Sequence, residues 1–178
     1  MKKTFLIAIA SMALFSCSKS DVNSVVQSNQ SEVAGRDGDP TTCDSVTTTV
    51  NLMAGQTHVA GNVTTVSDGT NLTVTYTTNE QWTLKEIHLY VGEFELAPQN
   101  NGGNPMPGRF PYKQIFTDAT STFTYEFPLS TLPDCFIVAA HSVVANTSGS
   151  TQTGWGQGTQ FPGNNWGMYF EVCAPDCL

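Results

Sequence analysis

The chain has 178 residues, only 12% of them charged, and a formal net charge of −8 at pH 7. So acidic a chain, with seven lysines and arginines in all, offers no basic surface for a phosphate backbone, and we predict that it binds no nucleic acid. The length suits one domain with an N-terminal extension. Few charges and abundant Thr, Asn, Gly and Ser favour an exported all-β domain.

The first sixteen residues have the pattern of a signal peptide. Lys2 and Lys3 precede an apolar run over residues 5–15, which is too short to span a bilayer permanently. The run ends in Leu14-Phe15-Ser16-Cys17, which resembles a bacterial lipobox. The resemblance implies cleavage before Cys17 and attachment of lipid, typically palmitate, to it. An ordinary secretory leader with an incidental cysteine is the alternative.

A lipid on Cys17 would anchor the chain to a membrane of the cell envelope. We therefore predict an outer-membrane lipoprotein, and leave open whether it faces the periplasm or the cell surface. Residues 17–42 are polar and have no sustained hydrophobic period, so they are predicted to form a flexible tether. The folded domain is then expected over residues 43–178.

Short segments in which apolar and polar residues alternate, with turn residues between the segments, predict an all-β fold. The spacing is typical of a β-sandwich of seven to nine strands, immunoglobulin-like or jelly-roll-like, and not of βαβ units. Asp68-Gly69 between two of the segments is a hairpin signal. The predicted strands cover residues 46–52, 58–66, 71–78, 82–91, 122–127, 135–145 and 168–173.

The segment 82–92 is predicted to be the central strand. Ile87, Leu89 and Val91 alternate with His88 and Tyr90, so both faces of the strand carry large side chains. Residues 135–145 show the same two-sided pattern. We therefore expect these two strands to pair.

Loops are the expected place for recognition. Residues 97–108 contain three prolines among Asn and Gly, which excludes a helix or a paired strand. Glycine-rich segments near the C-terminus carry Trp155 and Trp166, and Tyr112 follows the proline-rich loop. We predict that these three aromatic residues form a ligand-binding surface. The alternative is that both tryptophans are buried at one end of the sandwich.

Four cysteines remain after Cys17, an even number for an oxidising compartment. We predict two disulfides among Cys43, Cys135, Cys173 and Cys177. Three pairings are possible, and we favour those that link the C-terminal pair to Cys43 and Cys135. No nearby His or second Cys pair completes a zinc pattern.

The sequence contains no constellation that fixes a catalytic activity. There is no Gly-x-Ser-x-Gly turn and no free cysteine beside a histidine, so we predict a non-enzyme without a cofactor. His88 and His141 lie in the two strands that we pair and could approach each other. We favour a structural role for them over a metal site, because a zinc site needs a third ligand.

Eight blocks of the sequence form a recognisable set: residues 54–56, 61–63, 72–77, 82–92, 108–113, 139–141, 154–158 and 165–166. Together they resemble a recurrent β-rich module of exported Bacteroidetes proteins that has no settled functional name. The resemblance covers about residues 46–172, implies a secreted β-rich domain, and brings no catalytic residues. From the loop aromatics and the missing catalytic motifs we predict a binding or adhesion module for a glycan or a protein; a structural subunit of an envelope assembly is the alternative, and a hydrolase is less favoured.

Overall fold

The computed structural model describes residues 44–175, and all of them belong to one compact unit, Gly38–Leu178. They form ten β-strands and three single-turn 3₁₀ helices, Phe94–Leu96, Pro107–Arg109 and Leu129–Thr131. In this part of the chain no helix has the length and apolar character needed to cross a membrane. The strands are β1 Val46–Ala54, β2 His58–Ser67, β3 Asn71–Thr78, β4 Trp82–Gly92, β5 Tyr112–Thr120, β6 Thr122–Pro128, β7 Cys135–Asn146, β8 Thr151–Gly156, β9 Thr159–Gln160 and β10 Met168–Cys173.

The predictions for the signal peptide, the lipid on Cys17 and the tether concern residues outside the described ones. Cys43 and Cys177 also lie outside them.

All strand pairs are antiparallel, and the main order is β5-β4-β7-β8-β1-β2-β3-β6. Strand β10 joins β7 beside β8, and β9 pairs with β10. The end strands β5 and β6 are consecutive in the chain, and their rings meet: the centroids of Phe116 and Phe123 are 5.2 Å apart. The sheet thus curls until its ends face each other, and the predicted all-β, sandwich-like class is confirmed.

Strand β4 was predicted to be the central strand; it is paired along both edges, but it lies second from the end of the main strand order. It pairs with β7 over its whole length, so that His88 lies opposite His141 and Leu89 opposite Ala140. Its other edge carries β5. One face of β4 enters the main apolar cluster. On the other face Tyr90 enters a second apolar cluster, whereas the polar side chains nearer the start of the strand are only partly buried.

The main core fills the space between the curled halves of the sheet. Leu84, Ile87 and Leu89 of β4 contribute to it together with Leu72, Val74 and Tyr76 of β3, all of them completely buried. A second cluster lies on the opposite face of β4 and β7. It contains Tyr90, Ala97, Phe110, Ile137, Ala139, Trp155 and Phe161.

Three strands were not predicted. Strand β5 is mostly exposed and polar, so it lacks the apolar alternation of a buried strand. The glycine-rich segment was interpreted as a loop, which is wrong: Gly154 and Gly156 lie in β8, between β7 and β1. A Cβ at Gly154 would lie 2.7 Å from Ser142 Oγ, and one at Gly156 would lie 3.2 Å from Phe170. Glycine is required here by close packing between strands and not by a turn.

The turn between β2 and β3 confirms the hairpin prediction. Asp68 Oδ1 accepts hydrogen bonds from the backbone amides of Thr70 (2.8 Å) and Asn71 (2.7 Å). These bonds stabilise the carboxylate and lower the pKa of Asp68 below its ordinary value. The Asp-Gly pair thus closes the turn through its own side chain.

One disulfide lies within the described residues and joins Cys135 of β7 to Cys173 of β10. The two residues are direct cross-strand partners, with Cα atoms 4.0 Å apart. This bond agrees with the favoured pairing for these two cysteines. The favoured pairings then leave Cys43 and Cys177 as partners for the second predicted bridge, and both residues lie outside the described part.

Candidate functional site

Two long loops pack against each other at one end of the sheet. We call residues 97–109 and 161–167 together the loop face. Asn104 Oδ1 accepts a hydrogen bond from the backbone amide of Asn165 (2.8 Å), and the Gly163 amide donates to the carbonyl of Gly103 (3.1 Å). Asn100 Oδ1 in turn accepts from the Asn104 amide (3.1 Å). Side-chain and backbone hydrogen bonds therefore hold the two loops in one arrangement.

The loop face contains a concavity of about 450 Å³. Its lining combines amide side chains with one cation and one thioether: Gln99, Asn100, Asn101, Met106 and Arg109 contribute, with Gly102. Within the described part of the chain, the side chains of Gln99, Asn101 and Arg109 make no hydrogen bond or ion pair. Their polar groups are thus available to a ligand.

The three aromatic residues predicted to form a ligand surface do not come together. Trp155 is only 4% exposed and packs in the second cluster, with its ring centroid 6.2 Å from that of Phe110. The expectation of an exposed Trp155 is therefore replaced by the alternative, a buried position. Apolar residues of β7 and of both loops surround the ring, which explains its burial.

Trp166 and Tyr112 lie on different faces of the sheet. Trp166 is half-buried and packs on the second cluster, beside Asn165 of the loop face. Tyr112 is 36% exposed and contacts Phe127, with ring centroids 4.7 Å apart, on the side of the main core. Of the predicted surface, only Trp166 belongs to the loop face.

The pairing of β4 with β7 brings two histidines into contact. Nδ1 of His88 is 3.1 Å from Nδ1 of His141, and Nε2 of His88 is 3.0 Å from Oε1 of Glu86. A carboxylate only accepts, so Glu86 fixes the proton of a neutral His88 on Nε2. Nδ1 of His88 is then the acceptor, and His141 donates from its own Nδ1.

Burial keeps this histidine pair neutral. Desolvation lowers the pKa of His141 from 6.5 to about 3, and the neighbouring His88 adds to the effect. Desolvation also lowers the pKa of His88; Glu86 opposes this shift, whereas Lys113 on β5 supports it. The ring of Trp155 packs edge-on against His141, with centroids 4.9 Å apart. The arrangement suits a structural hydrogen bond, the role favoured from sequence.

Residues 44–175 contain no group of three or more His, Cys, Asp or Glu side chains placed to hold a metal ion. The third zinc ligand that the histidine pair would need is not found among them. Sequence reasoning singled out the proline-rich loop but missed Asn104. The only signal for Asn104 was an Asn and Gly composition typical of tight turns, because its partner Asn165 is 61 positions away.

Fold and site together define an all-β, sandwich-like domain with a preformed polar loop face. Comparison of the chain with protein-family models, with curated proteins and with solved structures finds no match. The resemblance to the exported Bacteroidetes module therefore stays a prediction from sequence blocks.

Proposed function

We propose that the chain is a noncatalytic exported lipoprotein whose β-sandwich domain is a binding or adhesion module, and that the loop face recognises its ligand. The observation that carries this proposal is the concavity itself. Cross-loop hydrogen bonds hold its walls, while Gln99, Asn101 and Arg109 present unused polar groups within the described structure. A preorganised site of this kind lowers the entropy cost of binding.

The lining favours a glycan that carries a carboxylate. Amide side chains both donate to and accept from sugar hydroxyls, and a guanidinium pairs with a carboxylate through two parallel hydrogen bonds. A protein that presents an acidic side chain is the second ligand class with the same chemistry. Arg109 is central to both because it is the one cation in the lining of the concavity.

The full-length protein is expected to bind acidic members of a printed glycan array, and Arg109→Ala is expected to weaken that binding at least tenfold. Loss of a charge-assisted hydrogen bond costs about 1.5–3 kcal/mol, and 1.4 kcal/mol is a factor of ten. Lys85→Ala is the matched control, since it removes a cation of β4 that lies outside the concavity.

Equal binding by wild type and Arg109→Ala would contradict the loop face as the site. Absence of binding to acidic glycans would contradict the glycan assignment. The alternative of a structural envelope subunit would then gain support, since Leu96 and Ile115 are each 69% exposed and could meet a protein partner.

The lipid anchor is proposed from the lipobox-like Leu14-Phe15-Ser16-Cys17. In bacteria supplied with labelled palmitate, we expect the wild-type protein to take up label and to fractionate with the outer membrane. Cys17→Ser should lose the label and the membrane association, because one cysteine carries the attached lipid. Label retained by Cys17→Ser would refute the anchor, whereas Cys43→Ser serves as the control cysteine.

A further inference from the structure

A second concavity lies at the other end of the sheet. It is formed where the β1–β2, β3–β4 and β7–β8 turns meet, beside Trp82 at the start of β4. The loop face, in contrast, begins after the last residue of β4, Gly92. Eleven residues of extended strand separate the two ends by roughly 30 Å. We call this second site the turn cavity.

The turn cavity has a volume of about 530 Å³, and its lining is largely polar. Among the described residues that line it there is no carboxylate, ammonium or guanidinium group. Trp82 forms an apolar wall, with the ring of His58 beside it at a centroid distance of 6.3 Å. Amide and hydroxyl side chains complete the lining: Thr57, Gln81, Asn146 and Gln152.

The side-chain amides that line the turn cavity have donors and acceptors that make no hydrogen bond within the described part of the chain. Asn146 Oδ1 accepts from the amides of Ser148 (3.1 Å) and Ser150 (3.0 Å), which orients its Nδ2 group without using it. The side-chain amides of Gln81 and Gln152 make no hydrogen bond within the described part of the chain. Gln81 from the β3–β4 turn, and Asn146 and Gln152 from the β7–β8 hairpin, thus offer amide groups to one space.

This lining selects the class of ligand. A charged ligand would lose hydration without meeting a carboxylate, ammonium or guanidinium group, which is unfavourable. A purely apolar ligand would leave the amides unpaired. A neutral sugar presents hydroxyls, which donate and accept, around an apolar C–H face that packs on the exposed ring of His58 and on Val59, which is 48% exposed, whereas Trp82 is only 8% exposed.

We propose that the turn cavity is a binding site for a neutral glycan. The site is separate from the loop face, and its existence does not depend on the function proposed there. The protein would then contact two ligands, or two parts of one polymer, from opposite ends of the sheet. Binding through two linked sites raises the overall affinity for a polymer above that of either site.

The test uses the full-length protein, a panel of neutral and acidic oligosaccharides, and calorimetry with the neutral oligosaccharide that binds best. Wild type is expected to bind at least one neutral member. Gln81→Ala and Gln152→Ala are each expected to raise its Kd about tenfold, because each removes hydrogen bonds to the ligand. Gln114→Ala on β5 is the control, since it removes an amide outside the turn cavity. Unchanged melting temperatures would show that the variants are folded.

Three results would overturn the proposal: no binding to any neutral oligosaccharide, binding to acidic ones alone, or an unchanged Kd in both cavity variants. Arg109→Ala separates the two sites. A neutral ligand lost in Arg109→Ala but retained in Gln81→Ala would assign recognition to the loop face instead. An acidic ligand lost in Arg109→Ala, with neutral binding intact, would support both sites.

Discussion

Acidification from about pH 6.5 to about pH 4 is expected to lower the free energy of unfolding by about 3 kcal/mol, mainly through His141. This side chain is 8% exposed and faces His88 across the β4–β7 pair. Desolvation, with a smaller contribution from His88, lowers its pKa from 6.5 to about 3. The folded protein therefore keeps His141 neutral over a range in which the unfolded chain protonates it.

The direction of the effect follows from proton binding. Below about pH 6.5 the unfolded state binds a proton at this histidine, whereas the folded state does not. The free energy of unfolding therefore falls by about 1.4 kcal/mol per pH unit for one such histidine. The stabilisation is fully present above that pH and is lost progressively as the pH falls toward the folded pKa. The Asp68 carboxylate stops stabilising the fold only below its ordinary pKa of 3.8, which lies outside the range from about pH 6.5 to about pH 4.

Charged neighbours of the two histidines modify how steeply the free energy of unfolding changes with pH, but they do not reverse its direction. Glu86 on β4 favours the protonated form of His88, whereas Lys113 on β5 opposes it. The net direction for His88 is still a lowered pKa, so His88 destabilises the fold on acidification in the same sense as His141. Two protonated rings would also set N–H groups against each other across the 3.1 Å gap.

Urea unfolding at a series of pH values measures this slope. His141→Gln should flatten the profile between about pH 6.5 and pH 4, since the titrating group is gone. His58→Gln is the matched control, because His58 lies outside the pair and contacts Trp82. A wild-type profile that is flat across this window, or a slope that survives in His141→Gln, would contradict the assignment to His141.

The predictable part of the fold is the part in which local pattern and tertiary packing agree. Strands β4 and β7 were recognisable because large apolar side chains alternate on both faces. Their pairing placed His88 near His141 before any distance was known. The contact between Glu86 and His88, and the His88 tautomer that it selects, could be learned only from the structure. The reason is that the direction of a side chain within a strand pair depends on the register.

What the sequence concealed depends on contacts between distant segments. Strand β8 looks like a glycine-rich loop, since the Ser142 side chain that requires Gly154 comes from another strand. Trp155 looks like an exposed platform until β7 and the loops surround it. The turn cavity is assembled from three turns, none of which carries a motif of its own.

Removal of the Cys135–Cys173 disulfide is expected to lower the free energy of unfolding by about 3–4 kcal/mol. The bond closes a segment with a sequence separation of 38, and the loss of loop-closure entropy in the unfolded chain is of that size. It also secures β10, which pairs with β7 through only four residue pairs. Phe170 and Val172 of β10 belong to the main core, so loosening this strand exposes apolar surface.

Equilibrium unfolding of the Cys135→Ala, Cys173→Ala double variant measures the effect. Dithiothreitol should lower the free energy of unfolding of the wild-type protein by at least as much as the double substitution does. Reductant applied to the double variant then reports on a second bridge, for which Cys43 and Cys177 are left, since a further loss of stability requires another disulfide. A double variant as stable as wild type would show that strand pairing alone holds β10, and that the disulfide does not stabilise the fold.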